Sequence, residues 1–260
     1  MLILLPPSEG KKPPRRGAAL DLTSLSFPGL EPHRAAVLDA LVALCTTDQP
    51  TVAAGVLGLG RTQTDQVTAN ARLRTTPAAR ADRVYSGVLY EALDVGSLPG
   101  PARRRATSWL AVTSSLFGLL RPADRIPAYR LSGDVTLPGI GAVSTYWRSR
   151  LDGTMRDAAG RGLVVDLRST TYASFWRPAP DLARRVVTVR VLQETAGRRA
   201  VVSHLNKATK GRLVRALLAD GTAPTRPARF ADHLGALGWK VEQGPIGRHG
   251  TALDVIVSEV

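Results

Sequence analysis

A short apolar run, Trp109 to Thr113, opens directly into Ser114-Ser115-Leu116-Phe117-Gly118-Leu119-Leu120-Arg121-Pro122-Ala123-Asp124-Arg125-Ile126-Pro127-Ala128-Tyr129-Arg130-Leu131. The run reads as a buried strand. Two serines, a glycine and two proline-marked turns follow it, the pattern of a strand running out into an irregular loop. In open α/β sheets such strand-end loops are where ligands sit. This loop carries Arg121, Arg125, Tyr129 and Arg130. Arginine is the side chain best shaped to fork onto a phosphate or a carboxylate. The expectation is an anion-binding loop on a rigid scaffold, with Arg121, Tyr129 and Arg130 as contact residues.

The rest of the chain supplies that scaffold. Met1 to Leu5 reads as a first strand stopped by Pro6-Pro7, and Leu163 to Leu167 as another buried strand. Apolar spacing predicts helices over Pro32–Leu44, Thr64–Leu73, Arg83–Leu93, Pro101–Thr107 and Thr145–Ala158. A short helix is predicted over Tyr172–Trp176, and longer ones over Lys207–Ala219 and Arg226–Leu237. Val186–Leu192 pairs with Ala200–His204 around a turn, and Trp239–Gln243 with Thr251–Ser258 forms a final hairpin. Strands and helices interleave without a regular βαβ period. That favours an α+β fold on a mixed central sheet over a doubly wound one.

Composition narrows the setting. The 260 residues can bury a substantial core, and no apolar run approaches membrane-spanning length. The Met1–Leu5 run is too short for a signal peptide, so no membrane partner is expected. The single Cys45 allows no disulfide framework, which points to a reducing, cytoplasmic location. His33, His204, His233 and His249 form no ligand-spaced pair, and neither a Walker loop nor a GxGxxG is present. No metal and no cofactor are expected. The net charge of +14 is carried almost wholly by arginine, with lysine only at 11, 12, 207, 210 and 240. A compositional bias explains arginine over lysine but not the excess over Asp and Glu. A polyanion surface explains that excess.

Four further constellations carry polar chemistry. Gly55-Val56-Leu57-Gly58-Leu59-Gly60 precedes a predicted helix and reads as the hairpin of a helix-hairpin-helix element, or as a plain turn between packed helices. In the first reading Gly58, Gly60, Arg61, Thr62 and Gln63 grip a DNA phosphate at a helix N-terminus without reading bases. Ser8, Glu9 and Lys11 follow the first strand. Lys207, Lys210 and Arg212 open a helix where cations oppose the dipole, a placement that an anion would neutralise. Ser169 to Tyr172 offers hydroxyls after the Val164 strand, or caps for the next helix. Tyr85 and Lys11 are candidate general acids, and a Ser115, His204, Asp166 triad can be drawn without the spacing demanding it.

Several segments together resemble the peroxide stress protein YaaA family. The Ser114–Leu131 run is similar to its LSGLYGVLRPLD…PYRL signature, and Met1–Lys11 to its opening strand and PPSEGK loop. Val84–Tyr90 resembles its VYxG box, Tyr146-Trp147 its aromatic–Trp pair, and Val164–Tyr172 its VVxLxSxxY strand and turn. Lys207 to Arg212 resembles its KxxRG helix start, with Lys210 where the motif has arginine. The matches keep their order from Met1 to about Leu217; Lys12–Gly17 and residues 98–106 have no counterpart.

The resemblance implies a mixed sheet wrapped by helices, a basic cleft, a helix-hairpin-helix element and one domain over residues 1–260. It implies a cytoplasmic DNA-binding protein of the peroxide stress response that limits oxidative DNA damage. Duplex or structured DNA is the expected partner, held by its phosphates. The alternative is an enzyme acting on a nucleotide, nucleobase or other anionic small molecule. Its catalytic candidates are Ser8, Glu9, Lys11, Tyr85 and Lys207, and its anion contacts Arg121, Tyr129, Arg130, Ser169, Lys210 and Arg212. The enzyme reading leads to one sharp expectation: Lys11, Arg121, Arg130 and Lys207 converge on one pocket, with Glu9 among them, whereas an open basic groove would favour duplex binding.

Overall fold

A computed structural model describes residues 1–46, 48–60, 63–195, 198–200 and 203–258. Its frame is an eight-stranded mixed sheet. In chain order the strands are β1 (Leu2–Leu5), β2 (Leu110–Ser114), β3 (Gly118–Leu120) and β4 (Val164–Asp166). They continue as β5 (Val186–Thr195), β6 (Arg198–Ala200), β7 (Lys240–Gly247) and β8 (Gly250–Ser258). They lie in the order β7-β8-β5-β4-β1-β2-β3, with β6 paired to β5. The inner strands β8, β5, β4, β1 and β2 run parallel, while β7, β3 and β6 join antiparallel. The mixed sheet expected from the interleaved pattern is present. Its centre is parallel, and β1, β2 and β4 are buried along their whole length, as strands covered on both faces must be.

The helices that matter for the site are α1 (Glu31–Cys45), α2 (Pro50–Val56), α3 (Thr64–Ala71), α4 (Val88–Leu93), α5 (Gly100–Trp109) and α6 (Ser203–Asp220). α6 crosses α4 at Gly211, where a Cβ would lie 2.3 Å from Leu89 O, so no larger residue fits this crossing. Among the described residues no helix is long and apolar enough to cross a membrane.

Four departures from the expected elements have clear causes. The stretch read as one helix over Arg83–Leu93 breaks at Tyr85–Gly87. There Ser86 N donates to Gly10 O, and Val84 O accepts from Lys12 N, so this backbone serves the loop after β1 instead of a helix. Residues 145–158 divide into helices Val143–Arg148 and Asp152–Ala159, because the chain turns to bury both Trp147 and Leu151. α6 starts at Ser203 and takes in His204, which was expected in a strand. The i,i+4 series Leu205, Thr209, Leu213, Leu217 keeps one face against the core back to that point.

The fourth departure has the largest consequence. The segment after β2 does not run outward as a loop. It turns at Leu116–Phe117 and returns antiparallel as β3. The turn needs Gly118 at φ +71°, where a Cβ would sit 2.6 Å from the Trp147 ring. Three residues of strand then carry the chain roughly 10 Å back along β2.

Candidate functional site

β1, β2 and β4 are mutually parallel neighbours, so their C-terminal ends open on one side of the sheet. Beyond β1, Pro6-Pro7 stops the strand and residues 8–12 cross this opening as a strap. The strap is pinned at both margins. Lys12 N donates to Val84 O at 2.8 Å and Ser86 N to Gly10 O at 3.2 Å. Tyr90 OH donates to Pro6 O at 2.7 Å.

Lys11 hangs from this strap into an aromatic recess. Its Nζ donates to Ser8 O at 2.8 Å. It also lies 4.2 Å from the centre of the Tyr129 ring and 5.6 Å from that of Tyr85. The two tyrosine hydroxyls hydrogen-bond at 2.9 Å, and Tyr129 OH meets Ser114 Oγ at 2.8 Å. Glu9 receives Arg130 on one carboxylate oxygen and Tyr172 OH, at 3.4 Å, on the other. Four of the chain's five tyrosines thus surround the strap.

Burial governs the titration of this cluster. It drives the Lys11 ammonium down to about 8, with Arg130 adding to the fall and Glu9 opposing it. Burial likewise pushes Tyr129 up to about 12 and Tyr85, Tyr90 and Tyr172 well above the usual phenol range. At neutral pH the tyrosines are therefore neutral hydrogen-bonding groups, and Lys11 is a cation close to losing its proton.

A cavity of about 590 Å³ opens beside the cluster. Glu9, Lys11, Tyr129 and Arg130 line one wall, and Gln63 and Gln66 line the other. Asn70, buried on α3, joins the two walls: its Nδ2 donates to Arg130 O at 2.7 Å, and its Oδ1 accepts from Arg130 N at 2.9 Å. A second hollow, about 530 Å³, lies on the far side of Arg130 against Gly55–Gly58. A third, about 870 Å³, flanks the strap at Lys12, Arg80, Arg83, Arg103 and Arg104.

α2 and α3 flank a glycine turn, as the LGLG pattern suggested. Gly58 takes φ +64°, Leu59 N donates to Ala54 O, and Gly60 N is held by Gln63 Oε1 at 3.2 Å. Gly58, Gly60 and Gln63 are exposed. Arg61 and Thr62 lie outside the described residues.

The other expected site residues scatter. Arg121 is not in the cluster, because the β2–β3 hairpin returns it to the opposite end of β2. There its guanidinium donates to Ser108 O and Leu110 O and covers the Phe27 ring. The expected convergence therefore joins Lys11, Arg130 and Glu9 without Arg121. Lys207 and Arg212 are exposed on α6, and neither lines the 590 Å³ cavity. Lys210 is buried and donates to Leu167 O at 3.0 Å. Ser169 is exposed and caps the short helix after it through its backbone carbonyl. Ser8 is half-buried and contributes its carbonyl to Lys11. No triad forms: Ser115 Oγ donates to Leu131 O, His204 is exposed, and Asp166 is held by Arg168. Among the described residues no group of His, Cys, Asp and Glu is arranged to hold a metal.

The Asp166–Arg168 pair was not foreseen as a unit. Arg168 donates to both carboxylate oxygens, at 2.9 and 2.7 Å, and to Tyr172 O and Trp176 O. Burial favours a neutral Asp166, but the Arg168 charge and hydrogen bonds outweigh it and hold the carboxyl below its ordinary range. Asn70 and Tyr90 were also missed. The scarcity of tyrosine was a usable signal for Tyr90, whereas nothing local marks Asn70.

Comparison with known proteins gives a consistent set of likenesses. The family profile described as peroxide stress protein YaaA matches residues 1–237. A UPF0246 protein of Streptomyces coelicolor is 50% identical over 262 residues, covering 100% of both chains. A UPF0246 protein of Corynebacterium efficiens is 42% identical, covering 93% of this chain and 95% of its own. One from Bacteroides thetaiotaomicron is 34% identical, covering 55% of this chain and 58% of its own.

Proposed function

This chain belongs to the peroxide stress protein YaaA family, and from that premise we propose that it binds DNA through the phosphate backbone and limits oxidative damage there. The family membership supports a role in the oxidative stress response. One observation supports the DNA reading: Asn70 ties Arg130 to α3, so the first turns of α3 and the Lys11 cluster line the same cavity. A helix start beside an arginine is a phosphate-binding arrangement. The net charge of +14 favours the same partner. Residues 1–260 act as one domain in this reading, supported by a sheet that draws strands from Leu2 to Ser258.

The test is the affinity for an undamaged duplex across a salt series. Each phosphate contact is expected to contribute a slope of about −0.9 in log K against log salt. Arg61→Glu, next after Gly60 in the chain, is expected to weaken binding by about 1–3 kcal/mol. An affinity unchanged between low and physiological salt contradicts the proposal. The enzymatic alternative is favoured by one observation, the Lys11 amine held in an aromatic recess at the wall of this cleft.

A further inference from the structure

We propose that Lys11 Nζ is a nucleophile that forms an imine with an aldehyde of damaged DNA, the open-chain deoxyribose left where a base has been lost. The inference rests on the DNA-binding reading and names the substrate class of the same cleft. Peroxide-derived radicals attack deoxyribose and release bases, so such aldehydes are a chemical consequence of the stress the family meets.

The geometry singles out Lys11 among the lysines. Lys210 is committed to Leu167 O beside Asp166, and Lys240 to Glu194. Lys12 and Lys207 are exposed and lie outside any aromatic recess. Lys11 Nζ instead sits on two aromatic faces and holds one backbone carbonyl. Glu9, the carboxylate nearest in sequence, is occupied by Arg130 and Tyr172. Among the described residues no carboxylate forms an ion pair with Lys11; burial disfavours its charge, nearby Glu9 opposes that and Arg130 adds to it. A desolvated amine in an apolar, aromatic recess is a setting that activates a lysine for imine chemistry. The amine lines a cavity of about 590 Å³, within the size range of small-molecule sites, and Arg130 on the same wall can take the flanking phosphate.

The step balances without an oxidant or reductant. The unprotonated amine donates its lone pair to the aldehyde carbon, forming a C–N bond and a carbinolamine. The carbinolamine oxygen is protonated and leaves as water, the nitrogen loses its remaining protons to solvent, and a C=N bond is left. Borohydride then reduces that bond to a secondary amine that cannot reverse.

The experiment uses the full chain, a duplex carrying one abasic site, and borohydride. The expected result is a covalent protein–DNA adduct whose peptide map places the link on Lys11. Lys11→Arg is expected to cut the trapped yield at least tenfold, while Lys240→Ala leaves it unchanged. Adduct mapped to another lysine, or trapping that persists in Lys11→Arg, overturns the proposal. Binding of the undamaged duplex is measured alongside. No adduct from protein that still binds the duplex overturns the imine chemistry alone. Loss of both overturns the DNA reading and the inference with it.

Discussion

The ends of β1 and β4 are neighbours in the sheet, and each gathers one carboxylate, one lysine and one arginine. At β4 these are Asp166, Lys210 and Arg168; at β1 they are Glu9, Lys11 and Arg130. The two sets are used in opposite ways. The Arg168 and Asp166 side chains are 1% and 7% exposed, and nearly every polar atom of that set has a protein partner. The Arg130 and Glu9 side chains are 23% and 47% exposed and line the cavity, and Lys11 sits on aromatic faces with no carboxylate in ion-pair contact among the described residues. Charge at a strand end therefore does not by itself mark a binding site. The proposed DNA-binding role assigns the β1 set to function because its partners, unlike those of the β4 set, are not all internal.

This contrast makes predictions that can break it. Asp166→Ala strips its paired carboxylate from a buried guanidinium, and breaking a buried pair in this way costs about 3–5 kcal/mol. Urea unfolding measures it, and a loss below about 1 kcal/mol would erase the distinction between the two corners. Arg130→Ala is expected to weaken duplex binding by about 1–3 kcal/mol. Its stability cost is expected to stay below about 1 kcal/mol, since its ion pair is partly solvated and the Asn70 clamp uses only its backbone. Paired affinity and unfolding measurements check this, and a stability loss larger than the binding loss would make Arg130 structural.

A further effect concerns Lys11 and pH. Its folded value of about 8 lies below the ordinary 10.5, so between those values the unfolded chain holds more protons than the folded one. Wild-type stability should therefore rise with pH across that window. Lys11→Met lacks this contribution and should be at least as stable as wild type at pH 7. Unfolding curves of both proteins at pH 7 and pH 10 give the comparison. A gap that stays constant with pH would mean that Lys11 is not desolvated in the native state.

Much of the β1 corner was legible in the sequence. Proline-stopped strand ends signalled the Glu9 and Lys11 strap, and the Tyr129-Arg130 pair stood out as a polar end to a loop. Arg121 was misplaced because one positive-φ glycine, Gly118, turns an apparent loop into a returning strand. Lys210 was misread because α6 begins four residues before the expected start, which puts Lys210 on the buried side of the helix instead of in its first turn. The tyrosine recess gathers positions 85, 90, 129 and 172, and Asn70 reaches Arg130 across 60 residues. Contacts of that range depend on the assembled sheet, and local spacing does not encode them.

The most direct test of the central claim is a titration of the lysine side-chain amines by NMR, with isotope-labelled lysine, in the free protein and with duplex DNA. Lys11 is expected to titrate near 8 when free and to move upward when phosphates enter the cleft, while Lys210 shows no response to DNA. A Lys11 that titrates at the ordinary 10.5 and is indifferent to DNA would contradict the account.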